Sequence, residues 1–252
     1  MKTLLVALAC IAGALAVPVN PTGEAPLWTR SGQWQGDIVL SPEQKVAIRS
    51  GRTGLINTYY RWGDRTIPYK LRDGDFNEAQ AAIIRNSLEE YNTRTCVRVR
   101  EATAADRDWV LVTREDSGCW SYVGRQGGQQ QLNLQDNQWG TCLISGTVVH
   151  EFLHAFGFYH QQSATERDDY VQILWDNIQD GTAYNFDKYG ADLISEFGVE
   201  YDTESVMHYD KYAFSKNGQP TIISIRDPNQ SLGNNRGLTD RDILKLNRMY
   251  GC

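Results

Sequence analysis

The chain has 252 residues, 41% apolar and 22% charged, enough for one large domain or two small ones around a real core. Its formal net charge of -6 is spread without a block, which argues against nucleic acid or an anionic membrane as a partner.

The first residues read "MKTLLVALACIAGALAVPVN". Lys2, a short apolar run and the small residues around Ala14 and Ala16 predict a secretory signal peptide over residues 1–16. The run is shorter than the roughly 20 residues of a membrane span. A secreted, extracellular protein without membrane contact is the expectation. Residues 17–52, rich in Pro, Gly and polar residues, read as a pro-segment. Within it, "AIRSGRTG" offers an activating protease cleavage points at Arg49 and Arg52.

Residues 53–252 read as the globular part. "TIPYKL" and "WVLVTRE" predict short strands, and "QQLNLQ" predicts a half-exposed one. "NEAQAAIIRNSLEEY" places Ile84, Leu88 and Tyr91 on one helical face. "SGTVVHEFLHAF" predicts a second helix. "TDRDILKLNRMYGC" predicts a third, with Thr239 as N-cap and Ile243, Leu246 and Tyr250 on one face. Residues 161–235 read mostly as loops.

Of five cysteines, Cys10 leaves with the signal peptide. Cys96, Cys119, Cys142 and Cys252 remain, which predicts two disulfides in an oxidising compartment, with three connectivities open. Asn229 begins an "NQS" sequon.

The four histidines are unevenly placed: three lie in "HEFLHAFGFYH", residues 150–160, and His208 lies in "SVMHYD". Histidines four apart on a helix sit about 40° apart around the axis and about 6 Å along it. His150 and His154 can therefore converge on one ion at about 2.0 to 2.1 Å. Gly157 favours a helix stop, after which the chain swings His160 to the same point. Three imidazoles and an open position make a catalytic rather than a structural Zn2+ site. Glu151 stands where a carboxylate can take the proton of a water polarised by the ion. Downstream, Met207 suits an apolar floor under the metal, and Tyr209 offers a phenol to the metal or to a developing oxyanion.

"HEFLHAFGFYH", "SVMHY", "SGCWSYVGRQGG", "RWGDRTIPYKL" and "DILKLNRMYGC" together resemble the astacin family of metzincin zinc endopeptidases, over residues 53–252. Among astacins the chain looks most like the short secreted arthropod forms, with no module expected after Cys252. The resemblance implies an α+β, two-subdomain fold. A twisted, mostly parallel sheet and the zinc helix would lie above the cleft, and a loop-rich half with the C-terminal helix below it. It implies one Zn2+ held by His150, His154 and His160, Glu151 as general base, and Tyr209 as an additional ligand in the resting mature enzyme. It implies disulfides Cys96–Cys252 and Cys119–Cys142, and an edge strand at Cys119, Trp120, Ser121 and Tyr122 that binds substrate backbone. "WQGDI" resembles the family's latency motif, which assigns Asp37 to the metal in a zymogen, with Trp34 where Phe is usual. Protein or peptide substrates, an activating protease and a monomer are the expected partners and state.

Three departures stand out. The Glu that usually follows the third histidine is Gln161. A later Arg is Ala164. The family's "GQR" reads Gly233-Asn234-Asn235, which removes an arginine from the substrate pocket and leaves Asn235, Arg236 and Lys211 to shape it.

Overall fold

The computed structural model describes residues 27–50, 58–191 and 194–252. The predicted signal peptide, Arg52 and the expected mature start at Thr53 lie outside these residues.

After a short 3-10 helix at Leu27–Arg30, the described chain forms strand β1 (Ile38–Val39) and helix α1 (Pro42–Ser50). Then come β2 (Thr66–Leu71), α2 (Glu78–Arg94), β3 (Arg98–Glu101), β4 (Trp109–Thr113), β5 (Cys119–Tyr122) and β6 (Gln129–Leu134). A small hairpin, β7 (Asp136–Asn137) and β8 (Gly140–Thr141), leads into α3 (Ser145–Phe156). Six strands form one sheet in the order β1-β5-β6-β4-β2-β3, parallel throughout except for β5 against β6. Parallel neighbours need crossovers, and α2 supplies the one from β2 to β3.

Helix α2 begins at a reciprocal cap: Gln80 N donates to Asn77 Oδ1 and Asn77 N to Gln80 Oε1. Its buried face, Ile84, Leu88 and Tyr91, is the one predicted, and Tyr91 donates to the Val149 carbonyl of α3 at 2.6 Å. Helix α3 is buried on nearly all sides, with Phe152 5.9 Å from Tyr69 of the sheet. Cutting Phe152 back to Ala would cost about 3 to 5 kcal/mol. The strand predicted as half-exposed is not: β6 is central, and Leu132, Asn133 and Leu134 are all buried. A strand covered on both faces loses its alternation.

Below the sheet, the predicted loops enclose a second core around Phe186, Phe214 and Ile222, braced by antiparallel β9 (Val171–Ile173) and β10 (Ile222–Ser224). Helix α4 (Asp240–Met249) starts at a Thr239–Asp242 capping box and returns to the upper core, where Tyr250 donates to the Phe156 carbonyl at 2.9 Å. Disulfides Cys96–Cys252 and Cys119–Cys142 pair as the resemblance implied. The expected α+β fold is the one observed, with Leu246, Met249 and Tyr250 at the end of the chain joining the core of α2 and α3. No helix of the described residues is long and apolar enough to cross a membrane.

Candidate metal centre

Helix α3 carries His150, Glu151 and His154, and Gly157 ends it. That residue has φ +118°, a left-handed conformation that favours glycine, and a Cβ there would lie 2.8 Å from the end of the Met249 side chain, which would have to shift. Its amide donates to the His154 carbonyl at 2.8 Å, and the chain then brings His160 back to the helix. The rings of His150, His154 and His160 lie 4.7 to 5.3 Å apart.

Each ring is oriented from behind. His150 Nδ1 donates to the Val206 carbonyl and His154 Nδ1 to the Phe158 carbonyl, both at 2.7 Å. His160 Nδ1 donates to Gln35 Oε1 at 3.2 Å. These bonds fix the tautomer that leaves each Nε2 lone pair aimed inward. Facing them is the fully buried Asp37 carboxylate: Oδ2 is 3.1 Å from His150 Nε2, and Oδ1 is 3.4 and 3.1 Å from His154 and His160 Nε2. Bonds of about 2.0 to 2.1 Å to a tetrahedral ion imply ligand–ligand edges of about 3.3 to 3.4 Å. The four ligand atoms lie within 4.8 Å of one another, and His154 Nε2 and Asp37 Oδ1 have no other partner. The donor set and its spacing therefore fit zinc.

Backbone geometry delivers Asp37. Gln35 has φ +50° and Gly36 φ +93°. A Cβ on Gly36 would lie 2.9 Å from the Trp28 ring and 3.2 Å from Phe214. Trp34 anchors the approach, its indole nitrogen donating to the Tyr189 hydroxyl at 2.7 Å. Beyond Asp37, β1 lies parallel on β5, Ile38 opposite Ser121 and Val39 opposite Tyr122. Ser121 and Tyr122, in the edge predicted to take substrate, are thus paired with the chain's own segment.

Glu151 is fully buried beside the cluster, and neither carboxylate oxygen has a hydrogen-bond partner. Burial first, and the Asp37 charge second, push its pKa well above the ordinary carboxylate value. Tyr209 lies with its ring 4.8 Å from His160. Its hydroxyl donates to the Gln35 carbonyl at 2.6 Å. Met207 is buried, and its carbonyl accepts from Gln161 N at 2.8 Å. His208 stays out of the cluster: Nδ1 donates to the Tyr209 carbonyl, and Nε2 accepts from the Tyr201 hydroxyl. Of the pocket candidates, Lys211 donates to the Pro228 carbonyl at 2.7 Å. Asn235 and Arg236 are exposed, and the Asn235 carbonyl accepts from Gly146 in the first turn of α3.

Sequence reasoning missed two supports of the site. Gln35, fully buried, holds His160 with its side-chain oxygen, Ser163 with its nitrogen and Tyr209 with its carbonyl. Asp242 accepts from Ser205 Oγ at 2.6 Å and Val206 N at 3.1 Å, fixing the turn whose carbonyl receives His150. Asp242 is legible in the sequence only as a helix cap.

The Astacin (Peptidase family M12A) profile matches residues 54–251. The chain is 34% identical over 221 residues to zinc metalloproteinase nas-4 of Caenorhabditis elegans, covering 86% of this chain and 69% of that protein. It is 41% identical over 221 residues to human meprin A subunit beta, covering 87% of this chain and 30% of that one. Among solved structures it is similar to high choriolytic enzyme 1, a hatching enzyme zinc-protease of Oryzias latipes (medaka), with TM-score 0.71 and 34% identity over 78% of this chain and 96% of that one. It spans only 43% of zinc metalloproteinase nas-13 of Caenorhabditis elegans, to which it is 39% identical. With the profile covering residues 54–251 and nas-4 matched over two thirds of its length, the chain belongs to the astacin family, peptidase family M12A.

Proposed function

We propose that this chain is a secreted zinc endopeptidase made as a latent zymogen, with residues 1–16 as signal peptide, 17–52 as pro-segment and 53–252 as catalytic domain. The observation that carries the reading is Glu151. A carboxylate with no partner, buried beside three convergent imidazoles, is costly to fold and useful as a base. His150, His154 and His160 would hold the ion. Zinc, when bound there, supplies a Lewis acid that acidifies water and polarises a carbonyl. The extended substrate pairs with the edge of β5, taking the place of β1 once the pro-segment leaves. Glu151 accepts the proton of the attacking water on a carboxylate oxygen and returns it to the leaving amine nitrogen. The Tyr209 hydroxyl, released from Gln35, donates to the substrate oxygen as negative charge develops there.

In the uncleaved chain Asp37 would be the fourth residue to hold the ion, and β1 lies on the β5 edge that substrate would take. Two separate blocks thus act together. The relatives named as zinc metalloproteinases support the activity. The test is a casein digest by protein beginning at Thr53, with and without a zinc chelator. Cleavage that chelation abolishes and added zinc restores is expected. Cleavage indifferent to chelation, or none by zinc-loaded processed protein, would sink the reading.

A further inference from the structure

Lys245 of α4 is a buried ammonium with only 4% of its side chain exposed. It contacts two groups, the Glu196 Oε2 carboxylate oxygen and the Gln161 side-chain oxygen. Gln161 Nε2 in turn donates to Glu196 Oε2 at 3.3 Å. The amide is thus set between opposite charges, its oxygen on the cation and its nitrogen on the anion. Gln161 is also the residue after His160, and its backbone amide donates to the Met207 carbonyl. One side chain thereby joins the third-ligand loop, the loop carrying Glu196 and the last helix.

A buried lysine is expensive unless paired, and Glu196 meets that requirement. The pair alone does not explain the amide. A carboxylate at position 161, the residue the family pattern has there, would face Glu196 across that 3.3 Å contact and leave the buried set with net negative charge. An aliphatic residue would leave a donor position of Lys245 empty. Glutamine answers both the cation and the anion, so the departure at position 161 and the buried Lys245 are parts of one arrangement.

We propose that Lys245 is a positioning residue for the metal: held by Glu196, its ammonium fixes the Gln161 side chain and, through it, the backbone that carries His160. It touches neither metal nor substrate. The inference rests on the reading of the three histidines as zinc ligands. Residues that orient ligands typically change metal affinity by about 10- to 100-fold when lost, and an effect one residue further out is expected near the lower end, about tenfold.

The experiment measures zinc release from the zinc-loaded full chain to a metallochromic chelator, alongside thermal unfolding and the visible spectrum of the cobalt-substituted chain. Lys245→Met should release zinc about tenfold faster but leaves Glu196 unpaired, so it also unfolds at lower temperature. The double variant Lys245→Met with Glu196→Gln removes both charges. It should recover most of the unfolding temperature and keep the fast release and an altered cobalt spectrum. Gln161→Met, which leaves the Lys245–Glu196 pair intact, should also release zinc about tenfold faster. Zinc release in the double variant or in Gln161→Met at the wild-type rate, with an unchanged cobalt spectrum, would overturn the proposal and leave Lys245 a purely structural residue. A wild-type chain that took up no zinc would instead overturn the metal reading itself.

Discussion

The Tyr209 hydroxyl donates to the backbone carbonyl of Gln35 at 2.6 Å, so the segment that delivers Asp37 also holds the phenol. Asp37 and Gln35 lie two residues apart, and the left-handed turn at Gln35 and Gly36 lets one short stretch do both. In the proposed zymogen, releasing this segment would free the fourth position on the ion and Tyr209 together.

Tyr209→Phe should therefore leave the uncleaved chain latent, because Asp37 keeps its contacts with the three histidines. In the processed enzyme it should lower kcat about 10²-fold with little change in KM, as the loss of one oxyanion donor does. Steady-state kinetics on a fluorogenic peptide would decide. An unchanged kcat would remove Tyr209 from the reaction.

Asp37→Ala should make the uncleaved chain leak activity, while β1 still occupies the β5 edge and keeps that activity below the processed level. Peptide cleavage before and after removal of residues up to Arg52 measures both. A variant as silent as the wild type would show that β1 alone enforces latency.

His208 gives a pH signature for the fold. Burial pushes its pKa down to about 4 from an ordinary 6.5. Between those values the unfolded chain binds a proton that the folded chain refuses, so stability is complete above about pH 6.5 and falls as pH drops toward 4. The full effect is at most on the order of 3 kcal/mol. With chelator present throughout, His208→Gln should narrow the difference between urea midpoints at pH 7.5 and pH 5. An equal drop in both proteins would show that His208 contributes nothing to it.

Substrate choice should show the loss of an arginine at Asn235. A guanidinium can favour Asp over Asn after the scissile bond by about 1.5 to 3 kcal/mol, tenfold or more. Here Lys211 is engaged with Pro228, and Asn235 is neutral. The Asp-to-Asn ratio of kcat/KM in otherwise identical peptides should be near one. A strong Asp preference would mean that Arg236 or Lys211 has taken over, and Arg236→Asn and Lys211→Ala would identify which.

Much of the site was legible because its constraints are local. The His150, His154 and Gly157 spacing follows from helix geometry and from one glycine, and the buried face of α2 follows from its period. Long-range polar contacts were not legible. Gln35 meets His160 and Tyr209 across 125 and 174 residues; "WQGDI" pointed to Asp37 at the metal, but nothing in it gave the Gln35 side chain or carbonyl those partners. The alternation in β6 misled because Asn133 is a buried hub, accepting from Thr113 Oγ1 and Glu115 N and donating to the Gly118 carbonyl. Lys245 reads as the polar side of an amphipathic helix, yet its ammonium has partners inside.

The most direct test of the account is Glu151→Gln in the processed protein. The amide keeps the size of the carboxylate and cannot take a proton. Zinc content should stay at one per chain, and the unfolding temperature should hold or rise, since a buried unpaired carboxylate has been neutralised. Turnover should fall by at least about 10²- to 10⁴-fold, because in the proposed mechanism the same group acts on both proton transfers. A zinc-loaded Glu151→Gln protein that cleaves casein at close to the wild-type rate would contradict the account.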